Sequence, residues 1–142
     1  MTTKVFADTD VVISSLISSK GAAHLLINHI DSLDIFVSNI SSLEIEKVAR
    51  RLALDETKAK ELIKKQFSVV GLEGSPKELQ MQFSQYVLDP NDAHIVAGAK
   101  FAKVRFLISY NIKHFKSELL KEDFNIILAT PANLIQYLRG AS

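Results

Sequence analysis

Cysteine is absent from the 142 residues. Its absence excludes disulfides and thiolate metal sites and suits a reducing cytosol, so a cytoplasmic location is expected. Glycine and proline are scarce, at 5 and 3 residues, and there is no linker, repeat or low-complexity tract. The length suffices for one sizeable core and hardly for two, which predicts a single domain over residues 1–142. No apolar run approaches the roughly 18 residues of a membrane span. Met1-Thr2-Thr3-Lys4 leads into a short apolar stretch rather than a secretory leader, so no membrane association is expected. Charge of one sign is also missing: 17 Lys and Arg against 16 Asp and Glu leave +1. That balance is too small to announce nucleic acid, yet it leaves room for a local basic face.

What is present is ordinary globular material, 47% apolar, in which strand-like and helix-like stretches alternate. Lys4-Val5-Phe6-Ala7 is a buried-type strand that stops at Asp8. Residues 22–30 have helical periodicity, and Asp34-Ile35-Phe36-Val37-Ser38 is rich in β-favouring residues. Residues 39–54 read as a helix with Ile45, Val48, Ala49 and Leu52 along one face, and Ser41 with Glu44 fits a capping box. A further helix runs from Asp55 or Glu56 to about Phe67, which makes 39–67 a helical hairpin and the most basic part of the chain. Ser68-Val69-Val70 is a minor strand or an extended crossing. Pro76 opens a short helix to about Tyr86, and residues 91–102 form a helix with a small face of Ala93, Ala97 and Ala99. A strand at 105–109, a short helix at 112–120 and a strand at 125–129 follow. Pro131 sits in the first turn of a closing helix that ends at Gly140.

This alternation predicts an α/β fold, a three-layer α/β/α sandwich around a mostly parallel sheet. In such folds ligands sit outside the carboxyl ends of the strands. Asp8, Ser38 and Asn111 each follow a strand directly and belong to that edge. Asp92 and Glu44 lie in early helical turns whose amino ends point the same way. Each acid also has a plain structural explanation: Asp8 as a turn or helix cap, Asp10 as the cap of the next helix, Glu44 as a capping-box residue, and Asp92 as a favourable charge at a helix amino end. Asp89-Pro90 reads as a turn. Their combination carries the chemistry. Like charges crowded at one edge repel, and burying them is expensive unless something neutralises the group. Mg²⁺ or Mn²⁺ does so through hard oxygen ligands. Asn111 offers a neutral oxygen or a donor, with Ser109 in support. His94, two residues beyond Asp92, should face elsewhere on the helix and pack; His114 lies one turn past Asn111.

These residues carry a resemblance. Val5 to Ser14 with Asp8, Val37-Ser38 with Glu44, Asp89-Pro90-Asn91-Asp92-Ala93 with Ala97, Phe106 to Phe115, and Ala129-Thr130-Pro131-Ala132 with Leu134 together resemble the PIN-domain family. Its members are metal-dependent ribonucleases, many of them toxins of prokaryotic toxin–antitoxin pairs. Five segments match in register across nearly the whole chain. The resemblance implies an endoribonuclease that uses Mg²⁺ or Mn²⁺ and leaves a 5′-phosphate and a 3′-hydroxyl. Its catalytic set would be Asp8, Glu44, Asp92 and Asn111, with metal held by Asp8, Asp92 and Glu44 and with Asp10, Ser109 and Asp89 supporting. The alternative is a catalytically weak or inactive PIN-like domain that binds RNA or protein. Arg50, Arg51 and Lys113 would meet the RNA backbone. A cognate antitoxin and a homodimer are the implied partners, with Phe83, Tyr86, Val87 and Leu88 either at an interface or in the core. Two departures stand out: Asp10 where the family often has Asn, and Asn111 where it often has Asp. They predict one firmly held metal and a conditional second. A phosphoryl-transfer receiver domain shares strand-end acids, but its phosphoacceptor Asp on a central strand and later strand-end Lys have no counterpart here.

Overall fold

The computed structural model describes residues 2–140; the outermost positions of the expected 1–142 domain lie outside the described residues. Five strands, β1 (Thr3–Ala7), β2 (Leu33–Ser38), β3 (Ser68–Val70), β4 (Phe106–Ile108) and β5 (Ile127–Ala129), form one sheet. The spatial order is β3-β2-β1-β4-β5 and every neighbouring pair is parallel. Helices α1 (Thr9–Ile17), α2 (Ala22–His29), α3 (Asn39–Arg51), α4 (Glu56–Gln66) and α8 (Pro131–Gly140) supply the core on one face. Helices α5 (Pro76–Phe83), α6 (Ala93–Phe101) and α7 (Ser117–Phe124) supply it on the other. The fold is the expected three-layer α/β/α sandwich.

Val5-Phe6-Ala7 of β1 and Phe106–Ile108 of β4 are unbroken apolar runs because both faces are covered there. In β1, Val5 and Ala7 join the first core while Phe6 joins the second. β4 repeats the split with Phe106 and Ile108 against Leu107, the two-residue period of a pleated strand. From β1 the chain moves outward through β2 to β3, then crosses back past β1 to β4. The order therefore reverses between β1 and β4, and a crevice opens at their carboxyl ends, where ligands bind in open parallel sheets.

Several boundaries differ from those predicted. The first hairpin helix stops at Arg51, because Ala53 turns left-handed (φ 57°) and the Leu54 amide returns to the Ala49 carbonyl at 2.8 Å. Its capping box is Ser38 with Ser41, not Ser41 with Glu44: the Ser41 amide donates to Ser38 Oγ at 2.9 Å and the Ser38 amide to Ser41 Oγ at 2.7 Å. Glu44 therefore has no capping duty. The helix predicted from residue 91 begins instead as a separate 3-10 turn, Pro90–Asp92, with α6 following. The helix predicted over 112–120 is two pieces, a 3-10 turn at Ile112–His114 and then α7. Phe115 between them is extended, since it is buried and bridges Val87 in antiparallel fashion. The Leu88 amide to the His114 carbonyl and the Lys116 amide to the Tyr86 carbonyl, each 2.9 Å, flank that bridge. Ser68–Val70 is a true edge strand. Phe83, Tyr86 and Val87 pack in the core, whereas Leu88 is exposed.

The small face of α6 sets how closely it approaches the sheet. Ala93, Ala97 and Ala99 are fully buried, and a Cβ at Gly98 would stand 2.5 Å from two ring carbons of Phe6. Alanine there would gain about 1 kcal/mol of helix propensity, but overpacking against an immobile ring costs about 1–3 kcal/mol. Gly98→Ala is therefore expected to destabilise the fold by a net of up to ~2 kcal/mol, measured as a lower urea midpoint with an unchanged slope.

Candidate active site

Asp8 arrives at the crevice because β1 ends there and the residue caps α1: its backbone is extended and its Oδ1 accepts from the Thr9 amide at 2.8 Å. Next door, β4 delivers Ser109, whose backbone amide is held by the Ala129 carbonyl. Ser109 is fully buried, and its hydroxyl lies 2.8 Å from Asp8 Oδ2 and 3.4 Å from Asp10 Oδ2. One hydroxyl proton serves one acceptor at a time, and the shorter distance assigns it to Asp8. Asp10 is satisfied differently: Oδ2 accepts from the Asn111 side-chain amide at 2.8 Å and from the Tyr110 backbone amide at 3.1 Å. Its second oxygen, Oδ1, is buried without a partner among the described residues.

The far wall is built from α3 and α6. Glu44 projects from the second turn of α3, with Oε1 2.5 Å from the Thr9 hydroxyl and Oε2 3.2 Å from His94 Nε2. Asp92 ends the 3-10 turn that Asp89 caps by accepting the Asn91 amide at 3.0 Å. His114 Nδ1 stands 3.9 Å from Asp92 Oδ2. Asp8, Asp10, Glu44, Asp89, Asp92, Asn111 and His114 all line one open cleft of about 510 Å³, whose other wall is the apolar side of α1 and α3 with Ile13, Ile17 and Val48. Asp8, Glu44, Asp92 and Asn111 thus share the cleft with Asp10 and Asp89, and Ser109 lies buried just beneath. Among the described residues, however, no three His, Asp or Glu side chains are grouped so as to hold a metal ion.

Of the expected backbone-contacting cations, Arg51 is exposed on the Glu44–Val48 stripe of α3, four and seven residues on from Glu44 being the same face. Lys113 is exposed on the 3-10 turn beside His114. Arg50 is instead committed to Glu56, at 2.7 Å through one guanidinium nitrogen and 3.3 Å through another.

His94 is the residue that helical reasoning missed. Two positions apart on one continuous helix, it and Asp92 would be about 200° apart. The 3-10 turn breaks that continuity, so Asp92 lines the cleft while His94 meets Glu44 behind it.

The electrostatics are those of negative charge without a counter-charge. Burial, reinforced by the charge of Asp10, pushes the Asp8 carboxyl from its ordinary 3.8 up to about 7, against the opposing hydrogen bond from Ser109. Burial also raises Asp10, partly offset by the Tyr110 amide, and raises Asp92 together with the neighbouring charge of Asp89. For Glu44 burial acts upward as well, but the hydrogen bonds from His94 and Thr9 outweigh it and hold the carboxyl below its usual range.

The family profile described as PIN domain matches residues 4–113. The chain belongs to the PIN-domain family. Three solved structures illustrate the likeness of this PIN domain's fold. One is VapBC2 from Rickettsia felis bound to a DNA fragment from its promoter, with 12% identity and a TM-score of 0.60 over 88% of this chain and 96% of that one. A toxin–antitoxin complex from Klebsiella pneumoniae shares 21% identity at a TM-score of 0.59, over 89% and 97%. PAE2754 from Pyrobaculum aerophilum shares 19% at 0.56, over 99% of both chains. Among curated proteins, none matches this chain. No single helix among the described residues is long and apolar enough to cross a membrane.

The raised Asp8 pKa has a signed consequence. Between about pH 4 and pH 7 the folded chain keeps a proton that the unfolded chain has released, so stability falls as pH rises through that window. Asp8→Asn removes the penalty. It is expected to stabilise the metal-free protein by roughly 1–3 kcal/mol at pH values above the window and by little below it, as read by urea unfolding at the two extremes.

Proposed function

We propose that the chain is an RNA-directed PIN domain that holds its divalent cation loosely and hydrolyses phosphodiester bonds weakly. The observation that carries this reading is the condition of the carboxylates. Several line one cleft, yet Glu44 is engaged by Thr9 and His94, Asp10 by Asn111 and Tyr110, and no three ligating side chains form a closed group among the described residues. The donor chemistry still fits a hard cation. All the acids offer oxygen, and the unpartnered Asp10 Oδ1 and the raised Asp8 both mark charge that a cation would relieve. Asp8 and Asp92 would hold Mg²⁺ or Mn²⁺, with Glu44 acting directly or through water.

When bound, such an ion lowers the pKa of a water and stabilises charge on phosphoryl oxygens. The chain's own residues prepare the place. Ser109 fixes one oxygen of Asp8, and Asn111 together with the Tyr110 amide fixes Asp10. Arg51 and Lys113 attract the RNA backbone without reading bases. Apolar Ile13, Ile17 and Val48 offer a surface for exposed bases or for a protein segment.

A second reading is a fully active endoribonuclease acting as the toxin of a toxin–antitoxin pair, restrained by an antitoxin and working as a homodimer. The buried, unpartnered oxygen of Asp10 favours it, as does the fold shared with a toxin–antitoxin complex.

One titration separates the readings. Cleavage of a labelled single-stranded RNA by nuclease-free protein is followed as Mn²⁺ rises from micromolar to millimolar. Saturation only in the millimolar range, abolished by Asp92→Asn, is the expected result. Saturation in the micromolar range would favour the fully active toxin, and cleavage unaffected by Asp92→Asn would overturn both. For RNA binding, Arg51→Glu is expected to lower affinity and to reduce the salt slope by about 1, the signature of one lost phosphate contact. An unchanged slope would remove α3 from the RNA surface.

A further inference from the structure

We propose that His94 is a positioning residue: together with Thr9 it locks the Glu44 carboxylate in one pose from which it serves the cation. The inference deepens the metal-dependent reading above and rests on it. It starts from the number of hands on one carboxylate. Glu44 Oε1 accepts the Thr9 hydroxyl at 2.5 Å, and Oε2 faces His94 Nε2 at 3.2 Å. These partners come from α1 and α6, 35 and 50 residues away in sequence. A glutamate on α3 has three side-chain torsions to restrain, and one hydroxyl leaves it free to pivot about that bond. A second donor on the other oxygen removes the pivot.

The imidazole suits this work. Its side chain is only 11% exposed, so water competes little for Nε2. A carboxylate accepts and does not donate, which places the ring proton on Nε2. Nδ1 is buried without a partner among the described residues, so in this tautomer it is a bare acceptor, and no second hydrogen bond pulls the ring away from Glu44. α6 itself is seated by the contact of Gly98 with Phe6 and by its buried alanines. The ring is thus carried on a rigid element. Each Glu44 oxygen keeps a lone pair beyond its one hydrogen bond, so the fixed carboxylate still has acceptor capacity to offer in the cleft it shares with Asp8 and Asp92. Partners of this kind fix the orientation of a metal site, and losing one typically costs 10- to 100-fold in metal affinity.

The test compares His94→Leu, which removes the donor, with His94→Gln, whose amide can donate from a similar place. Mn²⁺ binding to the full chain is measured by calorimetry, and the Glu44 carboxyl resonance is followed by carbon NMR in the metal-free protein. His94→Leu is expected to weaken Mn²⁺ binding by about 10- to 100-fold and to shift the Glu44 resonance, while His94→Gln restores both to near the unsubstituted values. Equal loss in the two variants, or unchanged affinity in His94→Leu, would overturn the proposal. Should the unsubstituted protein bind no Mn²⁺, the metal-dependent reading fails separately. The carboxyl resonance then decides the positioning role alone, and a resonance indifferent to His94→Leu sinks it.

Discussion

Asp8 and Asp10 share the surroundings of one buried serine hydroxyl, and that crowding is the constraint around which the cleft is arranged. Ser109 lies 2.8 Å from one carboxylate and 3.4 Å from the other, yet it has one proton to give. Partial burial limits the water that would disperse the charge, so the balance is kept by donors that follow β4: the Ser109 hydroxyl, the Tyr110 amide and the Asn111 side chain. The parallel pairing of β1 with β4, in register from Val5 with Phe106 to Ala7 with Ile108, brings those donors to the acids. A sheet order that placed β4 elsewhere would leave both acids buried and uncompensated, a cost of several kcal/mol.

Asn111 takes on a particular meaning in this light. An acid at that position would add a further negative charge against Asp10. An amide instead donates to it at 2.8 Å. The exchange quiets the cleft in the absence of a cation and leaves one fewer charge with which to attract a cation. Asp10 and Asn111 are therefore one coupled arrangement, with the donor on one chain segment answering the acceptor on the other.

Much of this was legible in the sequence, and for identifiable reasons. Apolar runs such as Val5-Phe6-Ala7 that stop at a charge mark strands covered on both faces, and their alternation with helices fixes the parallel sheet and the edge where Asp8, Ser38 and Asn111 emerge. Pro131 and Gly140 bracket the last helix as their backbone preferences require. What escaped was decided by side-chain competition and by contacts distant in sequence. Ser38 and Ser41 cap each other, which a spacing rule cannot distinguish from Ser41 with Glu44. Phe115 is drawn out of a helix by a bridge to Val87, 28 residues earlier in the numbering. The turn at Pro90–Asp92 resets the helical phase, so a histidine expected to face away meets Glu44.

That same bridge at Val87 and Phe115 ties together two segments that line the cleft. On one side it adjoins the turn that leads to Asp89 and Asp92, and on the other the turn of Asn111 and His114. The two backbone hydrogen bonds of that bridge make the two segments a single cooperative unit. In hydrogen exchange the Leu88 and Lys116 amides would accordingly share one opening event. The acids on one segment and the amide donor on the other thus share one backbone frame, and the width of this part of the cleft is set by the backbone rather than by the side chains that line it.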